Sequence, residues 1–121
     1  MIFDSLHVVD GSGTSGLAVQ KTLTQPGTIQ QLTGKVKWIP GVALQCKTIV
    51  CSLGTAGSSE TKINVRVNNV VVSSITVAAS TTVSQLSVDI ALTTTDSVTV
   101  DVVASGAGAT DLTVHFNCLT K

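Results

Sequence analysis

Along the second half of the chain apolar and polar side chains alternate residue by residue, and no other feature narrows the fold as much. Leu86, Val88, Ile90 and Leu92 fall on one side of such a run, with Ser87, Asp89 and Ala91 on the other. Val98, Val100 and Val102 alternate with Thr99 and Asp101, and Leu112, Val114, Phe116 and Cys118 alternate with Thr113, His115 and Asn117. Successive strand residues point to opposite faces, so each run has one dry face and one wet face. Antiparallel sheets packed face to face need that pattern, whereas a parallel sheet covered by helices needs strands that are apolar throughout. Composition agrees. With 19 Val, 18 Thr and 7 Ile, 44 of 121 residues are β-branched, which stiffens χ1 in a way that suits pleated backbone.

Further strand signals cover residues 30–39, 45–54, 61–68, 70–77, 83–92, 97–104 and 111–119, so seven or eight strands are expected. Asn68-Asn69 separates two valine-rich runs, and asparagine tolerates the positive φ of a two-residue hairpin turn. Thr95-Asp96 and the loops 54–59 and 105–110 supply other turns. No segment keeps a 3.6-residue apolar period for more than a turn or two. The predicted class is all-β, an antiparallel β-sandwich over residues 32–121. Residues 1–31 read differently: Gly, Ser, Thr and Gln dominate, GSGTSG fills 11–16 and Pro26-Gly27 marks a turn. An extended N-terminal arm is expected there.

Seven basic and seven acidic residues give a formal net charge of zero, leaving no net field toward a phosphate backbone or an anionic lipid surface. No nucleic-acid or membrane partner is expected. The N-terminal MIFDSLHVVD carries no basic residue ahead of its apolar stretch and does not read as a secretory signal, so synthesis and folding in a cytoplasm are expected. Three cysteines, an odd number, do not form the paired framework of small secreted domains, and Cys46, Cys51 and Cys118 are expected to be free thiols.

The candidates for chemistry are weak. GSGTSG fits the dinucleotide pattern in letters, but Leu17–Thr24 leads into Pro26-Gly27 with no helix to meet a pyrophosphate, and the stretch reads as a linker. Cys46, Cys51, His115 and Cys118 could be assembled into a metal set, yet on regular strands Cys46 and Cys51 face opposite ways, as do His115 and Cys118. Ser15 lacks the frame of a nucleophile elbow, and Asp89 and Asp101 sit among apolar strand neighbours. No catalytic residue, metal or cofactor is assigned, and no enzymatic activity is expected. The aromatic rings are Phe3, Trp38 and Phe116. Phe116 has core spacing, while Trp38, at a strand end before Ile39-Pro40, fits either a core edge or an interface.

From about Thr33 to Leu119 the chain resembles a β-sandwich module of tailed-bacteriophage structural proteins. The match runs through GTAGSSETKINVRVNN, SSITVAAS, TDSVTVDVV and GAGATDLTVHF. The resemblance implies a jelly-roll-like sandwich, often trimeric, found in capsid decoration or cement proteins, head fibres and tail-fibre tips. It therefore implies a virion part at the capsid surface. In that setting the sandwich would form a homotrimeric knob bound to the major capsid protein, and the arm, through Ile2, Phe3, Leu6, Val8 and Val9, would lie across the shell. The alternative within the same resemblance is a fibre tip that recognises host glycans through the loops 54–59 and 105–110.

Overall fold

The chain reverses at Asn68 and Asn69, whose φ angles of 51° and 68° are both positive, as a tight turn between the two valine runs requires. From that tip its two halves pair outward in nested order. In the computed structural model, which describes residues 2–3, 7–8, 17–33 and 37–121, β6 (Thr61–Val67) pairs with β7 (Val70–Val77) and β5 (Leu44–Ser52) with β8 (Val83–Leu92). Next outward, β4 (Lys37–Trp38) pairs with β9 (Val98–Ala104), and β3 (Ala18–Thr28) with β10 (Thr110–Thr120). Two short strands, β1 (Ile2–Phe3) and β2 (His7–Val8), lie on the outer side of β3. Every pair is antiparallel.

Wrapped around one core, this long hairpin makes a jelly-roll-like β-sandwich. Sheet A has the order β1-β3-β10-β5-β8, with β2 also on β3, and sheet B has the order β4-β9-β6-β7. Their inner faces supply the core. Val19, Leu23, Leu44, Ile49, Leu92, Leu112, Val114 and Phe116 come from sheet A, and Ile63, Val65, Val77, Val98, Val100 and Val102 from sheet B. At roughly 25 cal/mol per Å² of apolar surface removed from water, each such side chain contributes about 2 kcal/mol against the entropy of ordering the chain.

Two expectations change here. Residues 18–28 were expected within the arm, but β3 is an eleven-residue strand of sheet A, with Val19 and Leu23 fully buried against the core. Without it β10 would have an open edge. Lys21, between those two on the same inner face, is also buried and has a partner, and this one charged position hides the apolar alternation from the sequence. The sandwich therefore begins before residue 32. Of the proposed arm contacts, Ile2, Phe3 and Val8 belong to strands paired with β3, while Leu6 and Val9 lie outside the described residues.

The second change concerns the cysteines. Cys46 and Cys118 form a disulfide between β5 and β10, with Cα atoms 3.9 Å apart, and Cys51 remains a buried free thiol. Regular alternation would put Cys46 and Cys51 on opposite faces. The strand loses phase at Lys47, where its register shifts against both β10 and β8, and both cysteines turn inward. Burial pushes the Cys51 thiol from 9.0 up to about 12.

The native thiol is therefore expected to resist alkylation at pH 8 and to react at once in denaturant. The raised folded value also sets a pH window. Stability from this group is complete below pH 9 and falls between pH 9 and about 12, by up to about 1.4 kcal/mol per pH unit, as the unfolded thiol ionises first. Denaturation midpoints across that range should lose this slope in Cys51→Ala; an unchanged slope would assign it to the lysines.

Candidate functional site

The outer face of sheet A is built by strand register into four cross-strand rows. Following β3, β10, β5 and β8 in order, the rows are Ala18–Leu119–Gln45–Ala91, Gln20–Asn117–Thr48–Ser87, Thr22–His115–Val50–Gln85 and Thr24–Thr113–Ser52–Val83. Eleven of these side chains carry a hydroxyl, an amide or an imidazole, and none is a carboxylate, ammonium or guanidinium. Neighbours along a row bond to each other. Thr22 Oγ1 and His115 Nδ1 are 2.7 Å apart, and Gln20 Nε2 donates to Asn117 Oδ1 at 3.2 Å.

Charge enters this face at the irregularity around Lys47. Lys47 Nζ reaches Asp89 Oδ1 at 3.0 Å, and Gln45 Nε2 donates to the same oxygen at 2.6 Å. The hydrogen bond from Lys47, then that from Gln45, holds the Asp89 carboxyl below the usual carboxylate range. The pair compensates itself locally. The result is an electrically neutral surface of hydrogen-bonding groups four strands wide.

The outer face of sheet B is different. Asp101 on β9 is buried, with only 5% of its side chain exposed, and Arg66 Nε donates to its Oδ2 at 2.5 Å. Asp101 Oδ1 is buried and has no hydrogen-bond partner among the described residues. Arg66 also donates through Nη1 to the Asn69 carbonyl at 3.2 Å, which ties the pair to the hairpin tip. In the neighbouring strands Ser74 Oγ donates to Asn64 Oδ1 at 2.6 Å, and Asn64 stands opposite Asp101 in the register.

At the tip, Asn68 Nδ2 donates to Asp96 Oδ1 at 2.9 Å, and the Thr93 amide donates to Asp96 Oδ2 at 2.8 Å. The bond from Asn68, followed by the one from Thr93, lowers the Asp96 carboxyl from its ordinary range. These contacts clamp the turn between β8 and β9 against the turn between β6 and β7.

The loops expected to offer glycan contacts spend their polar groups on each other. The Ser58 amide donates to the Ala107 carbonyl at 2.9 Å, the Ala107 amide to Ser59 Oγ at 3.0 Å, and the Gly106 amide to Thr61 Oγ1 at 3.0 Å. A Cβ at Gly106 would stand 2.5 Å from the Ser59 carbonyl oxygen, so the approach requires glycine. The two loops form a latch.

Trp38 is a core residue. It is buried, and its ring centroid lies 5.6 Å from that of Phe116 at an interplanar angle of 43°, so it offers no interface surface. GSGTSG and Ser15 lie outside the described residues. His115 faces outward beside Thr22, while Cys46, Cys51 and Cys118 face the core, and among the described residues no group of three His, Cys, Asp or Glu side chains gathers in metal-binding geometry. Sequence reasoning missed the outer face of sheet A as a unit, because its rows join β3 to β8 across most of the chain.

No family model matches the chain, and no curated protein matches it. Among solved structures it is similar to a carbohydrate-binding module, CBM36, in complex with calcium and xylotriose, at 13% identity and a TM-score of 0.42, over 99% of this chain and 93% of that one.

Proposed function

We propose that this chain is a non-catalytic capsid decoration protein that attaches to a virion shell through the outer face of sheet A. The observation that carries the reading is that face: neutral and lined with hydroxyl and amide groups in register over four strands. A surface of this kind meets a broad protein partner through many modest hydrogen bonds, with no field to favour nucleic acid or lipid. The phage-module resemblance supplies the setting. The strands β1 and β2 extend the same sheet at its β3 edge, where Ile2 stands opposite the outer-face Thr24 and would continue this surface, while Phe3 and Val8 stand opposite the core-facing Leu23 and Val19.

Glycan recognition is the second reading, favoured by the half-buried polar side chains of Arg66 and Asn64 beside the enclosed Asp101 on sheet B. It is the weaker one, since Trp38 and Phe116, rings that could stack on a sugar, lie in the core.

The test is co-sedimentation of the purified protein with capsid shells from its source. Thr48→Arg puts an uncompensated charge at the centre of the face and is expected to weaken binding by at least about tenfold with the fold intact. Wild-type binding by that variant would remove the face from the reading. Failure of the native protein to bind shells, together with saturable binding on a glycan array, would replace decoration with glycan recognition.

A further inference from the structure

The sheet edges are unequally protected. The β3 edge carries β1 and β2, and β4, at one edge of sheet B, is two residues long. The β7 edge of sheet B is irregular, because its register with β6 shifts between Val65 and Arg66, which leaves Val71 and Val72 beside Arg66. Bulges and very short strands are the usual devices that stop an edge from templating another strand. β8 has neither. It is ten residues long, its exposure alternates from Val83 to Ala91, and its one charge, Asp89, is compensated by Lys47. Val83 is 60% exposed, and the inward-facing Leu86, Val88 and Ile90 are only partly covered by the core.

We infer that β8 is a self-recognition edge, pairing antiparallel with β8 of a second copy about a two-fold axis and joining two copies of sheet A into one continuous sheet. The sequence of β8 is complementary to itself in reverse. With the axis at Val88, Leu86 stands opposite the partner's Ile90 and Ser87 opposite the partner's Asp89. With the axis at Ser87, Leu86 stands opposite the partner's Val88 and Gln85 opposite the partner's Asp89. The Val88-centred register aligns all three half-covered apolar residues and the Ser87-centred one aligns Leu86 with Val88 but sets Ile90 opposite the partner's Ser84, and neither brings the two Asp89 carboxylates together. A chain with zero net charge adds no long-range repulsion between copies.

An axis normal to the sheet turns both outer faces of sheet A the same way. The dimer would therefore present a doubled outer face and raise the effective concentration of the second attachment once the first has formed. Pairing through the β8 edge needs no particle. It also differs from the three-fold association that the phage resemblance implies, because edge pairing of one strand with its own copy is isologous.

Sedimentation equilibrium of the native protein tests it directly. The expected species is a dimer of twice 12.3 kDa. Ser87→Asp sets like charges opposite each other in either register. About a Ser87 axis the two introduced carboxylates face each other, and about a Val88 axis each faces the partner's Asp89, so association is expected to weaken by at least about tenfold. Thr76→Asp, on the exposed outer side of β7, should leave the dimer unchanged. Ser87→Lys separates the registers: it strengthens a Val88-centred pair through Asp89 and weakens a Ser87-centred one. Circular dichroism should show all three variants folded. A monomer at every concentration, a trimer, or a dimer indifferent to Ser87→Asp would overturn the inference, whatever the shell-binding assay reports.

Discussion

Removing the Cys46–Cys118 bridge, as Cys46→Ala/Cys118→Ala, is expected to lower unfolding stability by about 4 kcal/mol, the loop-closure value for a link between residues 72 apart. The mechanism lies mainly in the unfolded chain. Tied at these points, it cannot explore the conformations that a free loop of this length would reach. In the folded state β5 and β10 remain paired without the bridge, so the variant should fold to the same sandwich with a lower denaturation midpoint. For a 12.3 kDa domain, whose total stability is of order 5–15 kcal/mol, the loss is large. Thiol titration checks the bridge itself. Denatured, unreduced protein should yield one thiol, from Cys51, and reduced protein three. Three thiols without reductant would refute the bridge.

The second large effect is expected from Arg66→Met, with a loss of about 3 kcal/mol. Asp101 is enclosed on β9, one carboxylate oxygen rests on Arg66 and the other has no partner among the described residues. Deleting the guanidinium leaves a desolvated charge without the ion pair that offsets it, and that penalty exceeds what the pair contributes when intact. Asp101→Asn removes the charge while keeping the shape, so it should cost less, and the double variant Arg66→Met/Asp101→Leu should recover most of the loss. Chemical denaturation of the native protein, Arg66→Met, Asp101→Leu and their double variant forms a closed cycle. If Arg66→Met and Asp101→Asn cost the same, the pair is acting by packing alone.

The sequence by itself determined the all-β class and most of the strand boundaries, because period-two alternation is a local property that each strand must satisfy. Leu86 to Leu92, Val98 to Val102 and Leu112 to Cys118 fall in β8, β9 and β10, and the Asn68-Asn69 turn is where it was expected. Alternation reports which way a side chain faces. It carries no information about which strand lies alongside.

Tertiary structure decided the rest for that reason. Assigning β3 to the sandwich depends on its pairing with β10, some ninety positions away in register, and on Lys21 being tolerated in the interior. The disulfide depends on a loss of phase at Lys47 that brings Cys46 opposite Cys118. The ring of Trp38 is directed inward because β4 pairs with β9, which sets it against Phe116. The neutral outer face of sheet A and the open edge of β8 are likewise products of strand order. Each residue in them reads locally as an ordinary wet-face position, and only the nesting of one half of the chain on the other gathers them into a surface.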